Sequence, residues 1–367
     1  MSPTLEHFNY LHQIPELGFE EYKTSAYIAG VLEAAGYQVT RQVNNTTGIV
    51  AVLDSGKPGP TLALRADMDA LGHIIDGKHV ARHTCGHDGH STVVLTTAQE
   101  VMAEERVKKG RLKLIFQPAE ELGTGAIALT EGGVLDDVDM LLGFHLRPLE
   151  ECPMGQAVPA MYYSASATVE VMFHGKAAHA ARPHLGVNAL DAAAHAVQAV
   201  NGIHLAPSLT WSAKATRFLC DAGVTNSIPD RAQVCWDLRA AENEAMDSLK
   251  PQVIRAIESS AAAYCARAEI RILKEMPAAI IHDEATAVIT RAIRSVFGET
   301  GLTAAKSTPG SEDFFHYLRL RPQIKGGFWG LGANLTPGLH HPEMHFDRDA
   351  LALGVKVFKA CVEDVLG

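Results

Sequence analysis

The segment Thr61–Asp69, TLALRADMD, contains the pattern on which the fold depends. Its first six residues are mostly apolar and are typical of a buried strand, and the acidic residues Asp67 and Asp69 follow at once. The segments around it alternate between strand patterns at 48–53, 111–116 and 140–144 and helical patterns at 20–35 and 92–105. This alternation predicts an α/β fold in which helices flank a mixed sheet.

The middle of the chain has the pattern of a separate, smaller domain. Its elements follow the order β-α-β-β-α-β, with strands at 167–173, 212–218, 233–238 and 269–273 and helices at 188–200 and 245–263. This order predicts a ferredoxin-like α+β domain. After Pro277 the first pattern resumes, so we expect the smaller domain to be inserted into the larger one. The predicted larger domain comprises 1–165 and 278–367, and the predicted inserted domain comprises 166–277.

Composition and charge argue against several classes of protein. The 367 residues carry a formal net charge of -10, which argues against general nucleic-acid binding and against docking on anionic membranes. No stretch has the roughly 18 consecutive apolar residues of a membrane span, and the segment Met1–Tyr10 lacks the pattern of a secretory signal. The 6 cysteines are too few for a disulfide framework in a chain of this length. We therefore expect a cytoplasmic protein.

Side chains suited to chemistry follow several of the predicted strands. Ligands of open α/β sheets bind beyond the carboxyl ends of the strands. Five loops place such side chains at this rim, namely Asp67 with Asp69, Cys85 with His87, Glu120 with Glu121, His145, and His340 with His341. Because the five loops lie far apart in the sequence, their common position at strand ends predicts one polar site.

The densest of these segments is 84–90, TCGHDGH. Cys85 and His87 are separated by one glycine and can turn both side chains toward one ion, and thiolate and imidazole both suit zinc and related divalent ions. The alternative is a buried cysteine beside solvent-facing histidines. We expect Asp88 and His90 to support the ligands or to begin a helix, for which Ser91 is a candidate cap.

Glu120 and Glu121 are adjacent on an irregular backbone, so their side chains point in different directions. One can bind a metal while the other reaches the water that the metal activates, which is the division of roles in metal-assisted hydrolysis. The residues alone do not decide which carboxylate has which role, and a solvated acidic pair is the alternative. His145 could equally be a core histidine, and either His340 or His341 could be an exposed loop residue.

At these positions the chain resembles the M20 metallopeptidase family, in its aminoacylase, hippurate hydrolase and auxin-conjugate hydrolase branch. The matching segments run in order along nearly the whole chain, and they are 65–71 (RADMDAL), 85–90 (CGHDGH), 116–121 (FQPAEE), 143–145 (GFH), 175–179 (GKAAH), 226–230 (NSIPD), 310–314 (GSEDF) and 339–342 (LHHP). Each motif is weak alone, but together they are highly specific. The sequence departs from the family pattern after Leu71, where Gly72 and His73 follow and the segment to His83 is short.

The resemblance implies a metal-dependent amidohydrolase that cleaves N-acyl or N-aroyl amino acids or related small carboxylate-bearing amides. It implies two divalent ions per subunit, which could be zinc, manganese, cobalt or nickel. The family pattern gives the metal ligands as Cys85, His87, Glu121, His145 and His340. It also gives Glu120 as the general base and Asp69 as the carboxylate that orients a ligand.

The resemblance further implies that the inserted domain is a lid and a dimerisation domain. In similar enzymes the residue that matches His179 stabilises the oxyanion, often across the interface of a homodimer. Asn226 and Arg239 match residues that hold the substrate carboxylate. Without the resemblance, His179 would be interpreted as a loop histidine, Asn226 as a turn asparagine and Arg239 as a surface arginine. We expect 311–313 to begin a helix, with Ser311 as its cap and the acids at its positive end.

Two other functions are compatible with some of these residues. A cysteine hydrolase would use Cys85 as nucleophile and a nearby histidine as base. It leaves without a shared purpose Glu120, Glu121, His145 and His340. A non-catalytic binder could keep the metal and lose turnover, and the presence of Glu120 argues against it. Under each hypothesis the partner is a small molecule, not a nucleic acid or a membrane.

Overall fold

The computed structural model describes residues 2–367, which form two compact units. The first unit comprises the residues up to Tyr162 together with Ile280–Ser307 and Asp313–Gly367, and the second comprises Tyr163–Ala279 and Thr308–Glu312. Over the described residues, no helix combines the length and apolar character needed to cross a bilayer.

Residues 2–163 contain helices α1–α4 and strands β1–β9. In chain order they are α1 (Pro3–His12), α2 (Tyr22–Ala34), β1 (Gln38–Arg41), β2 (Ile49–Asp54), β3 (Thr61–Asp67), β4 (Leu71–Ile75), β5 (Lys78–Arg82), α3 (His87–Ala103), β6 (Arg111–Gln117), α4 (Gly125–Glu131), β7 (Met140–Pro148), β8 (Ala157–Val158) and β9 (Met161–Tyr163).

The remaining elements continue in the same order. They are β10 (Ala165–His174), β11 (Ala178–His179), α5 (Ala189–Asn201), β12 (Trp211–Leu219), β13 (Ser227–Ile228), β14 (Arg231–Ala240), α6 (Asn243–Ala263), β15 (Arg267–Met276), α7 (Asp283–Gly301), β16 (Lys306–Thr308), α8 (Phe314–Leu320), β17 (Lys325–Leu335) and α9 (Asp349–Leu366). Two short 3-10 turns lie at Val43–Asn45 and Pro183–Leu185.

A seven-stranded mixed sheet forms the centre of the first unit, in the order β1-β2-β6-β3-β7-β17-β8. β3 pairs in parallel with β6 and with β7, and β7 pairs in parallel with β17. The carboxyl ends of these four strands therefore lie along one edge. Every residue of β3 is buried, as expected of a strand that is covered on both faces. The predicted α/β class with a mixed, helix-flanked sheet is confirmed.

The second unit contains a four-stranded antiparallel sheet in the order β12-β14-β10-β15. Its main elements follow the chain order β10-α5-β12-β14-α6-β15, which is that of a ferredoxin-like sandwich. Trp236 and Leu238 of β14 are fully buried in a core that includes Ala192 of α5 and Leu249 of α6. The sheet and its two helices thus form a core that is separate from that of the first unit.

Helix α3 begins earlier than the sequence indicated. It starts at His87, and the residue at its N-cap is Gly86, whose φ of 86° is left-handed, so the prediction that Ser91 caps the helix was wrong. The Ser91 hydroxyl instead donates to the carbonyl of Asp67 at 2.7 Å. The short segment after Leu71 forms the β4–β5 hairpin, which the sequence pattern did not predict.

Candidate active site

The ends of strands β3 and β6 lie side by side, with Asp67 opposite Gln117 in the parallel register. The loop that carries Glu120 and Glu121 follows Gln117 directly. On the other side of β3, strand β7 carries His145 near its carboxyl end. The sheet therefore gathers along one edge residues that lie far apart in the sequence.

Cys85, His87 and His145 form a buried group at this edge, and one ligand atom from each lies within 4.8 Å of the others. The Nε2 of His145 is 3.5 Å from the Cys85 sulfur. The Nδ1 of His145 donates to the carbonyl of Leu146 at 2.6 Å, which fixes the proton on Nδ1 and leaves the Nε2 lone pair for a metal. Burial lowers the pKa of His145 well below its usual value, so the imidazole is neutral, as a ligand must be.

His87 is oriented by Asp69. Its Nδ1 lies 3.2 Å from Oδ1 of Asp69, while among the described residues its buried Nε2 has no hydrogen-bond partner. Burial opposes protonation of His87, but the negative charges of Asp67 and Cys85 and the contact with Asp69 raise its pKa well above the usual value. The surroundings of His87 therefore favour a positive charge. That charge can be a proton on His87 or a cation bound by the site.

Glu121 and His340 complete the group from two further loops. The Nε2 of His340 is 3.3 Å from Oε1 of Glu121, and both residues belong to a second ligand group with Cys85. His340 has a left-handed φ of 66°, and its N–H donates to the carbonyl of Thr84 at 2.7 Å. The neighbouring His341 accepts the Glu343 N–H through Nδ1 at 3.1 Å instead. The structure thus brings His340, and not His341, to Glu121.

The chemistry of these donors fits divalent metal ions. Two groups of three share Cys85, and within each the ligand atoms lie within 4.8 Å of one another. Together they offer one thiol, three imidazoles and one carboxylate, from Cys85, His87, His145, Glu121 and His340. Burial and the charge of Glu121 raise the pKa of the Cys85 thiol well above its usual value. A divalent cation at this point would stabilise the thiolate, because a coordinating thiol loses its proton. The orphaned Nε2 of His87 gains a partner in the same way.

Glu120 is nearly buried and lies in a group with His87 and Glu121. Its Oε1 accepts the N–H of Asp313 at 3.4 Å. Glu120 is therefore next to the ligand cluster while Glu121 contacts His340, which gives the two adjacent carboxylates different surroundings.

A buried hydrogen-bond network packs beneath the site, and the sequence pattern predicted no role in it for Arg65 or Gln117. Arg65 donates to Asp67 at 2.6 Å, to Gln117 at 2.9 Å and to Asp313 at 2.9 Å, and Gln117 donates to both carboxylate oxygens of Asp313. Asp67 also lies 2.7 Å from Nδ1 of His90. An arginine within an apolar, fully buried strand was the available signal, because a buried charge needs a partner.

The network bears on two predictions, one for the start of helix α8 and one for His90. Asp313 occupies the N-cap position of α8, but its side chain makes no capping bond and is used by Arg65 and Gln117 instead. The prediction that 311–313 begin that helix with Ser311 as its cap was therefore wrong, because α8 starts at Phe314 and Asp313 occupies the N-cap position. His90 uses Nδ1 for Asp67 and accepts the Leu146 N–H through Nε2, so it supports the site as predicted.

The other predicted site residues belong to the second unit. His179 and Asn226 are neighbours there, because β11 pairs with β13 and the Ala180 N–H donates to the Asn226 carbonyl at 2.8 Å. His179 is exposed, and its Nδ1 accepts the Ala181 N–H at 3.1 Å.

Arg239 lies on β14 and forms a two-point contact with Asp237, with distances of 2.8 and 3.0 Å. Together with Trp211 and Gly310 it lines a groove of about 480 Å³ within the second unit. The groove is largely apolar with a cationic side chain in its wall, which suits a small amphiphilic molecule.

Comparisons with known proteins agree with this architecture. The model of the peptidase family M20/M25/M40 matches residues 63–364. The chain belongs to this family. It is 30% identical over 369 residues to an N-acetylcysteine deacetylase of Bacillus subtilis, and the match covers 95% of this chain and 93% of that one. The predicted family and the predicted enzyme class, a metal-dependent hydrolase, are thereby confirmed.

Solved structures give the same result for this M20 member. A putative aminohydrolase from methicillin-resistant Staphylococcus aureus superposes with a TM-score of 0.88 at 28% identity, covering 100% of this chain and 96% of that one. A Bacillus subtilis protein described as a dinuclear metal-binding peptidase of the M20 family superposes with a TM-score of 0.80 at 27% identity, covering 99% and 97%.

Proposed function

We propose that the protein hydrolyses the amide bond of N-acyl or N-aroyl amino acids, or of related small carboxylate-bearing amides, with the help of two divalent metal ions. The observation that carries the proposal is the five-residue group made up of two overlapping triads, Cys85 with His87 and His145 and Cys85 with Glu121 and His340. Glu120 lies in a third triad, with His87 and Glu121. The M20 relative named as a deacetylase of N-acetylcysteine and the relative described as dinuclear support the substrate class and the metal count.

The five residues of that group would hold the two ions. When bound, the ions polarise the amide carbonyl and lower the pKa of water. Zinc, manganese, cobalt and nickel all suit a mixed set of nitrogen, sulfur and oxygen ligands. Asp69 keeps the proton of His87 on Nδ1, so Nε2 faces the ions as a lone pair.

Glu120 acts as the general base in this proposal. It takes the proton from the attacking water and passes it to the leaving amine, so that the amine departs neutral. Its buried position beside the ligand group supports this role, since a base must lie within hydrogen-bond reach of the water. The N–H of Asp313, which Oε1 of Glu120 accepts at 3.4 Å, helps to hold the carboxylate in this position.

The second unit would provide the rest of the site, as a lid and dimerisation domain. His179 is proposed to stabilise the oxyanion, within its own chain or across a homodimer. Because its Nδ1 accepts the Ala181 N–H, a neutral His179 carries its proton on Nε2 and can donate it to an oxyanion. Asn226 and Arg239 are proposed to hold the substrate carboxylate, which an arginine fork matches well. A reducing compartment such as the cytoplasm would keep Cys85 as a thiol.

A panel of substrates tests the proposal. Purified protein is assayed with N-acetyl and N-benzoyl amino acids and with the matching amides that lack the carboxylate, before and after prolonged chelation. We expect hydrolysis of the carboxylate-bearing members, loss of activity on chelation and recovery with added divalent ion. Full activity in protein shown by elemental analysis to be metal-free would instead support a cysteine hydrolase. Binding of N-acyl amino acids without turnover by the metal-loaded protein would indicate a non-catalytic binder.

A further inference from the structure

The loop that carries Glu120 and Glu121 begins with a strained residue. Ala119 is fully buried and has a left-handed φ of 53°. Residues other than glycine seldom adopt this conformation, and they keep it only where the surrounding structure enforces it. Since Ala119 lies directly before Glu120, its backbone angles set the direction of the chain after strand β6 and hence the positions of the Glu120 and Glu121 side chains.

The carboxylate of Glu21, distant in sequence, makes a hydrogen bond with this turn. Oε1 of Glu21 accepts the Ala119 N–H at 2.9 Å, and Oε2 of Glu21 accepts the hydroxyl of Thr47. The packing around the turn is equally close, because a Cβ placed on Gly18 would lie 3.0 Å from Cα of Ala119. The segment before α2 therefore packs closely against the turn at Ala119.

The environment of Glu21 is unfavourable for a carboxylate. Glu21 is 0% exposed, and among residues 2–367 no lysine, arginine or histidine side chain pairs with it. Burial raises the pKa of Glu21 to about 7. Burial of an acid without a cation costs free energy, which hydrogen bonds only partly offset. Glu16 provides a contrast, because its carboxylate accepts the N–H groups of Lys23 and Thr24 at the start of the same helix.

We propose that Glu21 is a positioning residue of the active site, whose carboxylate holds the Ala119 N–H and so maintains the left-handed turn that presents Glu120 and Glu121. The proposal rests on the proposed function for its catalytic part. Its structural part concerns metal binding by Glu121 and stands without any substrate. Without Glu21, Ala119 can relax toward a right-handed or extended conformation, which would displace the carboxylates of Glu120 and Glu121.

The test measures Zn²⁺ affinity, by competition with a chromogenic chelator, and kcat at saturating Zn²⁺. Glu21→Ala should lower the Zn²⁺ affinity and kcat by about tenfold each. The strain of one left-handed alanine is large enough to lower the population of the left-handed turn by about this factor. Glu21→Gln should retain most of both, because its amide oxygen still accepts the Ala119 N–H. The double variant Glu21→Ala with Ala119→Gly should recover part of the loss, since glycine adopts a positive φ without strain.

Glu16→Ala is the matched control. It removes a glutamate that accepts backbone N–H groups at the same helix terminus, but that makes no hydrogen bond to the Ala119 turn. We expect Glu16→Ala to lower the melting temperature while Zn²⁺ affinity and kcat stay near wild type.

Two results would overturn the proposal. The first is a Glu21→Ala variant that binds Zn²⁺ and turns over like wild type, and the second is an equal loss in Glu16→Ala, which would point to general destabilisation. If the wild type hydrolyses no member of the panel, the proposed function fails, whereas the comparison of Zn²⁺ affinities still decides the role of Glu21.

Discussion

Asp69 and His87 are joined by a contact of 3.2 Å between Oδ1 and Nδ1, and this contact fixes which imidazole nitrogen faces the candidate metal site. The second carboxylate oxygen of Asp69 accepts the N–H of Glu121 at 2.9 Å. One buried carboxylate therefore orients two candidate ligands, His87 on α3 and Glu121 on the loop after β6. Residues that orient metal ligands in this way tune both the position and the basicity of the ligand.

The first prediction concerns this double contact. Asp69→Asn removes the charge that holds the proton on Nδ1 of His87, and it places an amide where two acceptor oxygens are needed. Metal affinity should fall by about 10–100-fold, the usual cost of losing such a partner. Competition with a chelator measures it. Asp54→Asn is the control, because Asp54 accepts the Gly56 N–H in an exposed turn. Unchanged affinity in Asp69→Asn would show that His87 needs no orienting carboxylate.

The second prediction separates the two adjacent glutamates. Glu120→Gln keeps the shape of the side chain but removes the base, so kcat should fall by roughly 10²–10⁴-fold while metal content stays near normal. Glu121→Gln is the paired variant, and it should lose metal because Glu121 belongs to the ligand group with Cys85 and His340. Elemental analysis of both proteins decides between the roles. Metal loss in Glu120→Gln with retention in Glu121→Gln would reverse them.

Sequence predicted the fold and most of the cluster because both depend on local patterns. Strand β3 could be read from its apolar run, and Asp67 and His145 lie near the carboxyl ends of parallel strands that share an edge. The full set of candidate ligands, including Cys85 and His87 next to the separate β4–β5 hairpin, came from the resemblance to the family. The residues that orient them could not be found in this way. Glu120 accepts a hydrogen bond from the N–H of Asp313, 193 positions away, and the N–H of Ala119 donates to Glu21, 98 positions away. No periodicity relates such pairs.

The start of α3 shows the same limit at short range. Ser91 has the chemistry of a cap, but the left-handed Gly86 ends the preceding turn and lets the helix begin at His87. A glycine is compatible with many conformations, so its φ follows from the tertiary packing and not from the local sequence. The error matters for function, because it is the early start of α3 that places His87 in a first turn next to Asp69.

The third prediction distinguishes a ligand from a nucleophile. Cys85→Ser should lower metal affinity, since a hydroxyl is a weaker ligand than a thiolate for these ions. The wild type should form no acyl-enzyme, because burial and Glu121 raise the pKa of the Cys85 thiol and disfavour the free thiolate that a nucleophile requires. Mass spectrometry of protein quenched during turnover checks this. An acyl group trapped on Cys85 would establish the cysteine-hydrolase alternative.

The fourth prediction concerns His179. If its Nε2–H stabilises the oxyanion, His179→Ala should lower kcat by roughly 10²–10³-fold, the usual effect of losing one such donor. Metal content and melting temperature should stay near wild type, because the side chain is exposed in the second unit. His184→Ala is the control, a nearby exposed histidine. Normal turnover by His179→Ala would remove it from the mechanism.

Mixing experiments extend this prediction to the oligomer. If His179 acts across a homodimer, mixing His179→Ala with Glu120→Gln should restore part of the activity, because one site of a mixed dimer has both residues intact. Absence of rescue despite proven subunit exchange would place His179 in the same chain as the Glu120 that it assists.

The last prediction follows from the burial of Glu21, which faces Thr47, the Ala119 N–H and the charge of Asp69. Burial raises the pKa of Glu21 from 4.5 to about 7. The folded protein therefore holds this proton at pH values where the unfolded chain has released it. The contribution of Glu21 to stability is fully present below pH 4.5 and is lost as the pH rises through about 7.

Glu21→Gln removes this titration while its amide still accepts the Ala119 N–H. Relative to wild type, the free energy of unfolding of the variant should rise between about pH 4.5 and 7 and level off above that window. The pKa difference between 4.5 and about 7 is about 2.5, so at about 1.4 kcal/mol per pKa unit the change should approach about 3.5 kcal/mol. Denaturant unfolding of both proteins without metal measures it, because a nearby cation would favour the ionised form. A difference that stays constant across this window would show that Glu21 titrates near its usual pKa.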